Sequence, residues 1–195
     1  MRRILDSLYR ASGWAAAAFI LAICLLVMAQ VVLNLIDKLA SNFLGEAIGL
    51  TIPSYADFTG FFLAAASFLA LAYTLREGGH IRVSLVVQNL PARYRHWVEV
   101  WCVAVSGAVT VYFSFFTAFL AYESFIYNDL SPGMVAVPIW IPQMAMLLGL
   151  VVLSIALIDE LVTLLAGRTA SYEGKGENLL EKTPVATAIV REDGS

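Results

Sequence analysis

Residues that carry chemistry are scarce in this chain. Of its 195 residues 14% are charged, and there are two histidines and two cysteines. His80 and His96 both sit in the polar stretch between apolar runs, so no histidine pair can face across a helix bundle to hold a haem iron. There is no Cys/His spacing of a zinc site, no Walker loop, no serine-nucleophile elbow and no His-Glu-x-x-His helix. No cofactor, no metal ion and no enzymatic activity are therefore expected. Cys24 and Cys102 fall in apolar runs at different expected depths, whereas a disulfide needs Cα atoms within about 7 Å. Both read as small buried hydrophobes. A net charge of −3, without a basic run longer than a few residues, removes the electrostatic case for nucleic-acid binding.

What the chain has in excess is apolar surface. With 60% hydrophobic residues it exceeds what a soluble domain of this size can hide from water, so it reads as a membrane protein. Residues 1–10 resemble the basic region of a signal peptide, but the apolar run that follows is longer than the roughly 7–15 residues of a cleaved signal. The segment is expected to stay as an anchor.

Four apolar runs give the spans, at about 13–36, 58–75, 97–122 and 139–158, making residues 1–166 an all-α, four-helix membrane domain. Gln30 and Asn34 share a face near the far end of the first span, where amides either seek a partner on another helix or subunit, or simply lie near the interface. Asp37-Lys38 ends that span, and residues 41–55 form a mixed loop. Asp57 opens the second helix, where a carboxylate favours the positive helix end and can cap free amides. Tyr55, Tyr73 and Arg76 serve as its interfacial anchors. Ser106, Gly107, Thr110, Ser114, Thr117 and Ala118 supply small residues for close contacts of the third span. Glu99 is early enough in that span to snorkel or to pair with a basic neighbour. Pro138 and Pro142 are both placed in the first turn of the fourth helix, with Trp140 as an anchor and Asp159 and Glu160 emerging at the headgroups. Residues 167–195 are polar and read as a flexible tail.

Between the second and third spans lies the densest ordered charge of the chain. Arg76 precedes the Gly78-Gly79 helix stop, His80 and Arg82 follow, and the apolar residues after them are too few to span, so the segment lies along the membrane surface. Arg93 and Arg95 then stay with the headgroups. Lys and Arg concentrate before the first span, between the second and third, and after the fourth, with Lys38 alone on the other side. By the positive-inside rule both termini and the central segment are cytoplasmic, and the loops at 37–57 and 123–137 face outward.

An ion-coupled carrier or membrane enzyme usually needs ionisable groups deep in its helices, and none falls near mid-membrane here. The residues alone favour a subunit that binds partners and lipid. An autonomous oligomeric small transporter or channel is the alternative.

Gly79-His80-Ile81-Arg82-Val83 resembles a turn in the small membrane (Q) subunit of tripartite ATP-independent periplasmic (TRAP) transporters. The resemblance extends to Asp57 opening the second helix, to Leu90-Pro91 followed by Arg93 and Arg95, and to Pro138-Ile139-Trp140-Ile141-Pro142 before the fourth. It covers about residues 10–165. Many members continue Val-Asp-Leu where this chain has Val83-Ser84-Leu85, so Ser84 is not given the role of that carboxylate. The resemblance implies a sodium-driven secondary transporter for organic acids in a bacterial or archaeal cytoplasmic (inner) membrane. Its partners would be a large membrane subunit that carries the substrate and sodium sites, and a periplasmic substrate-binding protein that this chain helps dock. Asp57, Arg76, Gly79, His80, Arg82, Arg93, Arg95, Gln30, Asn34 and Trp140 are then the candidate contacts with partner or headgroup.

Overall fold

A computed structural model describes residues 2–44, 49–77 and 92–166. They form four helices: α1 (Arg2–Leu44), α2 (Tyr55–Arg76), α3 (Ala92–Ile126) and α4 (Trp140–Leu165). Each is long and apolar enough to cross a membrane. The Gly79–Val83 turn, the surface segment around it and the tail from residue 167 lie outside the described residues.

The helices differ in length for local reasons. α1 has 43 residues, a length of about 65 Å at the usual rise. It contains no proline, and Asp37-Lys38 does not stop it. A charged pair ends contact with hydrocarbon but leaves the backbone ladder intact, so the helix continues to Leu44. α2 has 22 residues and α4 has 26, about 33 and 39 Å. α4 starts later than the proline pair suggests. Only Pro142 lies in its first turn, where a missing amide costs little. Pro138 stays outside, in an antiparallel bridge with Leu130.

Three helices form the body: α2 packs between α1 and α4, and α1 also touches α4 along one edge. α3 lies along α4 and has no comparable contact with α1 or α2. Small residues set these approaches. Gly149 of α4 meets the backbone of Phe68 in α2 so closely that an added Cβ would stand 2.5 Å from the Phe68 carbonyl carbon. Gly13 of α1 likewise faces the ring of Tyr73, and Ala65, Ala66 and Ala72 line the buried side of α2. Tyr9, Ala72 and Ala156 form one core cluster; Val103, Leu157 and Leu164 form the other, with Leu75 and Leu153 packed against both.

Burial runs opposite to that of a soluble protein. Ser12, Gln30, Thr110, Ser124, Ser154, Glu160 and Thr163 are buried, while Trp14, Leu21, Leu25, Met28, Phe113, Phe115 and Phe119 are exposed. Water would penalise such a surface, but lipid or another membrane protein covers it at little cost, and polar groups then belong inside. Cys24 and Cys102 share the exposed faces and are unpaired, which corrects the expectation that both are buried. They point to whatever surrounds the bundle.

Polar ties and candidate partner surfaces

Each end of the bundle is closed by polar groups that the chain supplies to itself. At the end holding the α1 N-terminus and the α2 C-terminus, the guanidinium of Arg76 donates through Nη1 to Asp159 Oδ2 of α4 at 3.2 Å, and through Nη2 to Asp6 Oδ1 of α1. It also lies over the ring of Tyr9, 5.3 Å from the centroid. The Arg76 side chain is 18% exposed, so it turns into the bundle and not toward lipid phosphate. One cation thereby joins three helices. Two carboxylates and a ring face share the positive charge, and the planar fork of arginine suits this geometry better than lysine would. Asp159 is half-buried in this cluster, and its neighbour Glu160 is 4% exposed. The expected emergence of this pair among headgroups is corrected.

The opposite end is tied by Gln30. This side chain, 4% exposed, donates through Nε2 to Asn34 Oδ1 and Thr51 Oγ1, both at 3.0 Å, and accepts the Ile52 N–H at 2.8 Å. One turn further along α1, Asp37 Oδ1 accepts the Gly49 N–H at 2.7 Å. Gln30, Asn34 and Asp37 thus form a ladder along one helix face that holds the loop after α1. Of the two readings of the Gln30 and Asn34 amides, neither anticipated this: the hydrogen bonds go to the chain's own loop.

Asp57 stands in the first turn of α2, half-buried. No side-chain cap closes this helix end, so the expected capping role of Asp57 is corrected. Its Oδ2 packs instead against Gly133 in the loop between α3 and α4, where an added Cβ would overlap the carboxylate. Ser54, held in the left-handed region at φ 57°, accepts the N–H groups of Asp57 and Phe58 on its carbonyl and that of Val135 on its hydroxyl, the last at 2.9 Å. The α3–α4 loop is itself a small hairpin. Ser131 N–H donates to the Val137 carbonyl at 2.8 Å and Ile139 N–H to the Asp129 carbonyl at 3.0 Å, and Asn128 takes the left-handed turn position at φ 52°. Trp140, half-buried, meets Phe125 edge-on with ring centroids 5.6 Å apart.

The candidate residues therefore divide. Gln30, Asn34, Asp57, Arg76 and Trp140 all join elements of this chain. Arg93 and Arg95 lie in the first turn of α3, and their side chains lie outside the described residues, as do Gly79, His80 and Arg82. In the middle of the bundle, Ser114 of α3 and Ser154 of α4 approach at 3.2 Å, and each hydroxyl also bonds its own helix. Beside them, an open groove of about 450 Å³ between α3 and α4 is lined by Val103, Gly107, Val111, Tyr112, Leu157 and Leu161, among others. Nothing in that lining is charged, so it offers no counter-ion to an organic acid. Among the described residues, no group of three or more His, Cys, Asp and Glu side chains converges as a metal site.

A four-helix bundle with polar ties at both ends is compatible with more than one membrane role, and its family decides among them. The family model for tripartite ATP-independent periplasmic transporters, DctQ component, matches residues 23–167. The chain belongs to this family. As a DctQ component it is a small membrane subunit of a tripartite transporter, and its exposed apolar helices are those of a multi-pass membrane protein. No curated protein and no solved structure matches significantly. The match spans α2, α3 and α4, about the last half of α1, and the ties made by Gln30, Asp57, Arg76 and Asp159.

Proposed function

We propose that this DctQ component is a non-transporting scaffold in a sodium-driven, binding-protein-dependent carrier of organic acids. In this reading it braces the large membrane subunit, which carries the substrate and sodium sites and moves. It also helps dock the soluble binding protein. The membrane is a bacterial or archaeal cytoplasmic membrane, with both termini of the chain inside.

The observation that carries the reading is the empty middle of every helix. No Asp, Glu, Lys, Arg or His occurs between Arg10 and Asp37, between Asp57 and Arg76, between Glu99 and Glu123, or between Trp140 and Asp159. A translocation path for a carboxylate with sodium needs charged or strongly polar groups at depth. Here the charges cluster at the ends and fasten helices to one another. That construction suits a part that keeps its shape while its neighbour moves. The outward-facing assignment of the 37–57 and 123–137 loops is supported by the basic residues at the other ends of the helices.

Co-expression with the large membrane subunit of its transporter tests the subunit role. A stable complex of defined stoichiometry, seen by mass measurement in nanodiscs, is expected. A chain that purifies alone as a homo-oligomer while the large subunit transports without it would overturn the proposal.

A further inference from the structure

The groove between α3 and α4 has no part in the function proposed above. It opens along one side of the seam between the two helices. Val103, buried against Leu157, belongs to the seam, and an added Cβ at Gly107 would meet the Leu157 Cβ at 3.8 Å, so small residues keep the floor low. Ala104, Ala108 and Tyr112 flank the opening from α3, Ile158 and Leu161 from α4. Ile158 and Leu161 stand on either side of Asp159 in sequence, which sets one end of the groove at the level of the Arg76–Asp159 clasp. The other end runs toward the Ser114–Ser154 contact. From Val103 to Tyr112 it follows about 14 Å of helix, near half of a hydrocarbon core of about 30 Å. Its length is that of one leaflet.

Its width selects the occupant. A volume of about 450 Å³ over that length gives an opening roughly 6 Å across, whereas an α-helix with its side chains is about 10–12 Å thick. An extended hydrocarbon chain enters such a slot and a helix of another subunit does not. What stands beyond the slot points the same way. Trp97 and Trp101 precede Ala104 and Ala108 at spacings of one helical stripe, and they are 69% and 71% exposed. Indoles on a membrane helix favour the headgroup level. Arg93 and Arg95 stand in the first turn of α3, beyond the tryptophans, and the helix carries no Lys or Arg after them. Glu99 falls on a different side of the helix by register.

We infer that the α3–α4 groove binds an anionic phospholipid of the leaflet at the Arg76 end. One acyl chain lies in the groove, Trp97 and Trp101 stand at the glycerol level, and the phosphate sits at the first turn of α3, where Arg93 and Arg95 supply the opposite charge. An uncharged slot, then indoles, then two arginines follow the order of chain, glycerol and phosphate in such a lipid. The lipid thereby seals the seam of α3, whose packing within this chain is chiefly against α4.

For the test, the full chain is stripped of lipid in detergent, titrated with phosphatidylglycerol or with phosphatidylcholine of the same acyl chains, and read by native mass spectrometry. One phosphatidylglycerol per chain is expected, held about tenfold more tightly than phosphatidylcholine, the scale set by two basic residues at a headgroup. Arg93→Gln with Arg95→Gln is expected to remove that preference. Ala108→Leu, which fills the groove from its flank, is expected to weaken both lipids several-fold, whereas Val109→Leu on the neighbouring face leaves both unchanged. Melting temperatures show that the variants are folded. Equal retention of the two lipids by the wild type, or unchanged binding in folded Ala108→Leu, overturns the inference. A phosphatidylglycerol with a diazirine on its acyl chain, which needs no variant, is expected to label α3 around Ala104 and Ala108 and α4 around Ile158. Labelling spread over all exposed helix faces means annular lipid only and overturns the site. Loss of the groove labelling in the complex assembled with the large subunit also overturns it, because that subunit then covers the groove.

Discussion

Arg76 and Asp159, 83 residues apart in sequence, meet at 3.2 Å and hold α2 against α4. Asp6 completes the clasp from α1, but it is 46% exposed, so solvent screens its share. Arg76→Ala should lower stability by about 2 kcal/mol, chiefly by leaving Asp159 half-buried without its cation. Asp6→Asn should cost less than about 1 kcal/mol. Thermal unfolding in detergent, with the Arg76/Asp159 double-mutant cycle, separates the two contributions. A cycle showing no coupling would dissolve the clasp.

Gln30→Leu removes two donors and one acceptor from a buried site and leaves the Ile52 N–H without its partner. The expected cost is about 2 kcal/mol. Backbone hydrogen exchange should quicken over residues 49–54 and stay unchanged in α4. Exchange that rises equally in all helices would mean that Gln30 supports the whole bundle and not this loop.

Gly133→Ala sets a methyl against the Asp57 carboxylate and should displace the hairpin at a cost of about 1–3 kcal/mol. Asp57→Ala should restore most of that loss in the double variant, because it removes the clashing group. Additive losses in the melting temperatures would contradict the packing.

Gly149 and Gly60 predict opposite outcomes for one kind of substitution. Gly149→Ala drives a Cβ into the Phe68 backbone and should part α2 from α4, with a sharp fall in folded yield. Gly60 has open space around it, and Ala there should be neutral or should stabilise by up to about 1 kcal/mol. Yields in detergent that respond alike to both would count against this helix contact.

Much of the architecture is legible in the sequence because run length and composition decide whether a helix crosses a membrane, and the four spans stand out as apolar runs. Helix ends are less legible. Asp37-Lys38 reads as the end of the first span, yet α1 continues because nothing there breaks the backbone ladder. Pro138 looks like a helix starter until its bridge to Leu130 is seen. The ties were hidden for a different reason. Arg76 and Asp159 each read as a headgroup charge, Asp6 drew no reading of its own, and sequence separations of 70 and 83 residues conceal that they converge. Gln30 and Thr51 are closer, 21 apart, but an amide near an interface does not name its partner. Gly133 carried no signal by itself, because its role is set by Asp57 across the bundle end. The family turn at Gly79–Val83 is legible only in the sequence.

In the proposed function this chain assists transport and does not perform it. Sodium-driven uptake in proteoliposomes tests it most directly, comparing this chain alone, the large subunit alone, and both together with the binding component and its substrate. Uptake is expected only when both membrane subunits and the binding component are present. Uptake by this chain alone at a comparable rate would contradict it.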